Sequence, residues 1–85
     1  MEKSIIIYGT GWCGDCIRVR TIFDNNNIQY RWVDIDRDAE GEQLVIRTNN
    51  GMRSVPTIIF ENGTIMVEPT DYELKLMLES IQIAN

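Results

Sequence analysis

The chain has 85 residues, 44% apolar and 25% charged, with a formal net charge of −5. A chain of this size makes one domain, residues 1–85, with a thin core, because it buries only about 60% of the surface its unfolded form exposes. The acidic balance, mixed in sign along the chain, argues against a nucleic-acid or anionic-membrane partner.

Met1-Glu2-Lys3-Ser4 leads into an apolar run too short for a signal peptide or a membrane helix, so a cytoplasmic monomer is expected. "SIIIY" (Ser4–Tyr8) is β-rich and apolar throughout, the pattern of a central strand buried on both faces. Gly9-Thr10-Gly11 is read as its end. A helix follows from about Gly14 to Asn25, with Cys16, Val19, Ile22 and Phe23 on one face. Asn residues tolerate the left-handed conformation, so "DNNN" (Asp24–Asn27) ends it.

"IQYRWVDI" (Ile28–Ile35) alternates and then turns apolar, as a second strand would. Asp36 or Asp38 can cap a second helix running to about Asn49. Gly41 weakens that helix by about 1 kcal/mol relative to alanine. "PTIIF" (Pro56–Phe60) and "TIMV" (Thr64–Val67) flank Glu61-Asn62-Gly63, a strong hairpin signal. Thr70 and Glu73 have capping-box spacing before a last helix, whose buried stripe is Leu74, Met77, Leu78 and Ile81. The order βαβαββα predicts a parallel first pair, an antiparallel last pair and a mixed four-stranded sheet with helices on both faces.

The only cysteines, Cys13 and Cys16, are two residues apart. A structural zinc site takes about four Cys or His ligands, and the chain has no histidine, so zinc would require a dimer. A structural disulfide here would close a tiny loop and contribute little in a reducing compartment. Position favours redox chemistry. Cys13 follows a buried strand and precedes a helix, where free N–H groups and the helix dipole stabilise the nucleophilic thiolate. Cys16, one turn on and facing inward, can attack a mixed disulfide on Cys13. A Cys-x-x-Cys near a βαβ pattern is itself a thioredoxin-like signal.

"YGTGWCGDC", "VDID", "RSVPTIIF", "ENGT" and "VEPTDYEL" together resemble the glutaredoxin-like proteins, most closely the mycoredoxin type, over Ile5–Leu78. The resemblance implies a minimal thioredoxin fold of the α/β class, with three helices on the two faces of the sheet. It implies reduction of mixed disulfides between proteins and a low-molecular-weight thiol, and of protein disulfides. The dithiol would be restored by that thiol or by a flavin-dependent reductase, with no bound cofactor and no metal. It also implies a cis Pro56 facing the sulfurs and a Val55 backbone offered to the bound thiol.

Three stretches depart from the glutaredoxin pattern. Gly14 and Asp15 stand in place of Pro-Tyr between the cysteines, Thr10 in place of a lysine, and Glu68-Pro69-Thr70 in place of a Gly-Gly loop. They count against glutathione among the low-molecular-weight thiols and leave mycothiol, bacillithiol or a protein partner open. A dedicated electron donor to one reductase, and a zinc-bridged or redox-sensing module, are the alternatives.

Among the flanking residues, Trp12 reads either as a lip of the substrate groove or as an ordinary half-buried aromatic. Thr70 and Asp71 open the last helix, whose N–H groups could hold a substrate carboxylate, although capping alone also explains Thr70. Arg53 reads as a solvated loop charge rather than a carboxylate contact. Tyr8, Tyr30 and Trp32 read as packing residues. Asp15 is expected to tune the pair by raising the cysteine pKa, and also suits the first turn of a helix.

Overall fold

A computed structural model of the chain describes residues 5–84. Its elements are β1 (Ile6–Gly9), α1 (Gly14–Asn25), β2 (Arg31–Asp34), α2 (Ala39–Thr48), β3 (Thr57–Ile59), β4 (Ile65–Val67) and α3 (Asp71–Ala84). The sheet order is β2-β1-β3-β4. β1 runs parallel to β2 and antiparallel to β3, and β3 and β4 form the antiparallel hairpin. This is the predicted topology, with β1 inside the sheet.

Alternation along β1 explains its unbroken apolar run. Ile7 joins Ile58 and Phe60 on one face, under Val19 and Phe23 of α1 and Leu74 and Leu78 of α3. Tyr8 joins Val33, Ile35 and Val45 on the other face, under α2. A strand buried on both sides can spare no polar position. Phe23 meets Tyr30 edge-on and stacks near Phe60, with ring centroids 5.4 Å and 6.4 Å away. The predicted stripe of α3 is fully used at Leu74 and Leu78 and partly at Met77 and Ile81.

The boundaries differ in ways the chain explains. The first strand was expected over Ser4–Tyr8, of which Ser4 lies outside the described residues. It extends instead through Gly9, whose carbonyl accepts the Ile35 N–H at 2.9 Å. The second strand begins at Arg31 rather than Ile28, because Ile28 still belongs to the end of α1: its N–H donates to the Phe23 carbonyl at 3.0 Å, beyond Asn27 at φ 56°. The chain reaches the ladder at Arg31, whose N–H donates to the Ile5 carbonyl at 2.7 Å.

Of the two candidate caps for α2, Asp38 is the one used, its Oδ1 accepting the Gly41 N–H at 2.9 Å. Gly41 is more than a weak helix former. A Cβ there would lie 2.7 Å from Val33 Cγ1, so its absence lets α2 sit directly on the sheet. The hairpin closes through Phe60 N–H to the Thr64 carbonyl at 2.8 Å, with Gly63 at φ 91° supplying the left-handed step.

Candidate active site

β1 delivers the chain through Thr10, Gly11 and Trp12 to Cys13, which is the N-cap of α1 at φ −84°, ψ 119°. A serine or aspartate would ordinarily fill this role; here the cap acceptor is sulfur. The Cys16 N–H donates to Cys13 Sγ at 3.3 Å, while the Cys13 carbonyl begins the helix ladder by accepting from Ile17 at 3.1 Å. The sulfur thus sits at the N-terminus of α1 with a backbone N–H directed at it. Both cysteines are free thiols.

The two sulfurs differ in environment. Cys13 is half-buried and Cys16 is fully buried. Gly9 lies so close beneath Cys16 that a Cβ on it would fall 2.6 Å from Cys16 Sγ and 2.8 Å from the Trp32 ring. Burial, chiefly, pushes the Cys16 thiol from the ordinary 9.0 to about 12, followed by its hydrogen bond with Cys13. The Thr10 backbone opposes this, and the charges of Cys13 and Asp15 add the least. Asp15 is exposed and leans toward Arg18 at 3.6 Å. Gly14 is exposed, and nothing lies within 4 Å of where its Cβ would be.

A pH dependence follows. The unfolded chain gives up the Cys16 proton near 9.0 and the folded chain near 12, so between these values the unfolded state binds fewer protons. This contribution to stability is complete below about 9 and is lost as pH rises toward about 12. Tyr8, also raised mainly by burial, acts in the same direction. Urea unfolding of the reduced protein on both sides of pH 9.0 should show wild type losing stability more steeply than Cys16→Ala.

The loop before β3 holds a cis Val55–Pro56 bond. Pro56 is buried, and its carbonyl accepts the Glu68 N–H at 2.9 Å. Asn49, the C-cap of α2, donates to Thr57 Oγ1 at 3.1 Å, and that hydroxyl donates to the Ser54 carbonyl at 2.8 Å. Val55 is half-buried, and its N–H and carbonyl pair with no backbone group among the described residues. The loop is thus anchored on both sides of Val55.

Other expected site residues are engaged within the protein. The capping box forms reciprocally: Glu73 N–H donates to Thr70 Oγ1 at 3.1 Å, and Thr70 N–H donates to Glu73 Oε1 at 2.9 Å. Arg18 donates to the Asp71 carboxylate and, at 3.0 Å, to the Pro69 carbonyl, strapping α1 to the start of α3. At the start of α3 the Thr70 N–H is thus taken by the Glu73 carboxylate, and the Asp71 carboxylate by Arg18.

Trp12 is not half-buried: it is 71% exposed, and its indole N–H donates to Asp36 Oδ2 at 2.9 Å. Arg53 is not simply solvated: it donates to Asp36 Oδ1 and Glu42 Oε2, each at 2.6 Å. Tyr8 is buried, while Tyr30 and Trp32 are partly buried, with Arg20 lying over the Trp32 ring at 4.0 Å. Thr10 is fully buried, and its hydroxyl has no partner among the described residues.

Arg18, Asp36 and Glu42 escaped sequence reasoning. Nothing in their local spacing signals partners 53, 24 and 11 positions away. A concavity of about 660 Å³ between α2 and β2, lined by residues including Tyr8, Arg31 and Arg47, touches neither cysteine. Of the two cysteines only Cys13 is partly exposed; Cys16 is sealed from solvent. Among the described residues, no helix is long and apolar enough to cross a membrane, and no group of three or more His, Cys, Asp or Glu side chains could hold a metal ion.

Known proteins resemble this chain in sequence and in fold. The glutaredoxin family model matches residues 5–65. A Mycobacterium tuberculosis protein bearing the glutaredoxin name is 37% identical over 81 residues, covering 95% of this chain and 96% of its own. Mycoredoxin 1 of Corynebacterium glutamicum is 31% identical over 79 residues, covering 93% and 98%. Among solved structures, a thioredoxin-like protein superposes with a TM-score of 0.75 at 22% identity, over 86% of this chain and 97% of that one. A glutaredoxin from Archaeoglobus fulgidus superposes at 0.71 and 18%, over 89% and 86%. The fold is the thioredoxin fold in its minimal form, and the chain belongs to the glutaredoxin family as a thiol–disulfide oxidoreductase similar to the mycoredoxins.

Proposed function

We propose that this protein reduces mixed disulfides between proteins and a low-molecular-weight thiol, with Cys13 as the nucleophile and Cys16 as the resolving thiol. The asymmetry of the pair carries this reading: Cys13 accepts an N–H at a helix terminus and is partly accessible, while Cys16 is buried and holds its proton to about 12.

In the first step the Cys13 thiolate attacks a substrate sulfur. A Cys13–substrate disulfide forms, the substrate S–S bond breaks, and the departing thiolate takes up a proton. Cys16 then loses its proton and attacks Cys13 Sγ. The second substrate thiol leaves, and the protein is left as the internal disulfide, having passed two electrons to the substrate. Of the causes that hold the proton on Cys16, the Cys13 charge is removed and the hydrogen bond with Cys13 weakened once Cys13 is in the mixed disulfide, while burial remains. Resolution is therefore eased only after substrate has been captured. Mycothiol, bacillithiol or glutathione, or a flavin-dependent reductase, restores the dithiol in a reducing compartment such as the cytoplasm, with the chain acting as a monomer.

Trp12 on one side of Cys13 and Val55–Pro56 on the other serve as the lips of the substrate groove in this reading, with the free backbone groups of Val55 facing the incoming thiol. Thr70 and Asp71 form the far margin; because both are already paired within the chain, they shape the groove rather than hold a substrate carboxylate. Gly14 leaves the first turn of α1 unobstructed, and Asp15 keeps a negative charge beside the pair.

Cys16→Ser should leave capture intact and block resolution, so mass spectrometry of the variant recovered from cell extract should find a disulfide adduct on Cys13. A small-thiol adduct identifies the co-substrate. Capture of one protein would favour the dedicated electron donor. An adduct-free Cys13 would remove the main support for exchange at this site.

A further inference from the structure

We propose that Arg53 is a positioning residue that holds the two lips of the Cys13 groove in register and so sets a preference for peptide-sized over small disulfides; this rests on Cys13 being the nucleophile. Arg53 lies just before Ser54-Val55-Pro56, on the loop that forms one lip. Its Nη2 donates to Asp36 Oδ1 and its Nε to Glu42 Oε2, each at 2.6 Å. The second oxygen of Asp36 accepts the indole N–H of Trp12 at 2.9 Å, and Trp12 is the other lip. Asp36 is in turn fixed by its own N–H, which donates to Asp34 Oδ1 at 2.9 Å. One side chain thereby links the Pro56 loop, the β2–α2 loop, α2 and the residue beside the nucleophile.

Two features make Arg53 the determining member. Trp12 is 71% exposed, so packing does not fix its ring, and the bond to Asp36 is its one side-chain hydrogen bond among the described residues. The guanidinium serves two carboxylates from different elements through two separate N–H donors in a rigid fork, which a lysine ammonium cannot reproduce. The same contacts hold the Asp36 carboxyl below its usual range, Arg53 first and Trp12 second. Without Arg53, Asp36 and Glu42 would face each other without a cation between them, and Trp12 would lose a fixed acceptor. A small disulfide can reach Cys13 without spanning the groove, whereas a peptide must lie across both lips.

The test uses single-turnover reduction by the reduced protein of two probes, hydroxyethyl disulfide and a short peptide whose cysteine is disulfide-linked to free cysteine. Arg53→Ala should slow the peptide reaction by about tenfold relative to the small disulfide, the scale of one charge-assisted hydrogen bond. Arg53→Lys should recover only part of that ratio. With Trp32→Phe leaving Trp12 as the sole tryptophan, Arg53→Ala should also lower Trp12 fluorescence anisotropy and raise its quenching by acrylamide. The rate ratio is read with Trp32 in place, so it stands whether or not Trp32→Phe folds. An unchanged ratio, equal slowing of both probes, or a lower melting temperature with unchanged ratio and anisotropy would each overturn the proposal. If wild type reduces neither probe, the reading of the site itself has failed, and the anisotropy alone then decides the clamp.

Discussion

Replacing Cys13 with serine is expected to lower the rate of mixed-disulfide reduction by about 10³-fold or more, with the fold intact. The loss is large because the reaction has no substitute for the sulfur. The chemistry is exchange at a disulfide, which needs a thiolate, and a serine hydroxyl stays protonated at neutral pH and forms no S–S bond. Structure should survive because serine is itself a favoured N-cap and can accept the Cys16 N–H that Cys13 Sγ now accepts. Stopped-flow reduction of a mixed disulfide, with far-UV circular dichroism as the control for folding, checks both parts. Cys16→Ser is the informative contrast, since it should retain the first step. Equal activity of Cys13→Ser and wild type would move the nucleophile elsewhere, and the chain offers only Cys16, which is fully buried.

The second large effect is expected at Gly9. A Cβ there would lie 2.6 Å from Cys16 Sγ and 2.8 Å from Trp32 Cη2, both closer than contacts in packed interiors allow. Gly9 sits inside the sheet, paired with Asp34 of β2, so the backbone cannot simply retreat. The sulfur or the indole must move. Gly9→Ala is therefore expected to destabilise the reduced protein by about 1–3 kcal/mol, the usual cost of overpacking. In a domain of this size, each kcal/mol lowers the melting temperature by about 4–8 °C. Because Cys16 is one of the displaced atoms, resolution should slow along with the loss of stability. Thermal unfolding and the rate of internal disulfide formation after capture report the two effects separately. Unchanged values of both would mean that the sheet yields at Gly9 more readily than its pairing suggests.

Much of the fold was legible because its signals are local. α1 begins and ends where the apolar face and "DNNN" place it, and the Thr70–Glu73 box forms as spaced. The start of β2 was not legible, because the residues that tie Ile28 to the end of α1 also carry strand-like alternation. Gly41 was readable as a weakness in a helix but not as a point of contact with Val33, which depends on how close α2 comes to the sheet. The same division holds at the site. The Cys13–Cys16 pair and Val55–Pro56 stand out as short motifs. The clamp through Trp12, Asp36, Glu42 and Arg53 joins four separate stretches, and composition gives such charges a default reading of solvation. Exposure misled in the same way at Trp12, whose size suggests burial but whose position before the helix cap turns it outward.

The difference in depth between the two thiols also bears on damage. An oxidant such as a peroxide meets Cys13 first, since Cys16 is sealed beneath it. Cys13 would become a sulfenic acid, which can either condense with a thiol or be oxidised irreversibly to sulfinic acid. The Cys16 thiol one helical turn away is near enough to compete: on giving up its proton it would attack the sulfenic sulfur, with the hydroxyl leaving as water and an internal disulfide formed. Under the proposed exchange cycle, the burial that makes Cys16 a reluctant acid would also make it a protected reserve, turning an oxidative lesion into the internal disulfide of that cycle.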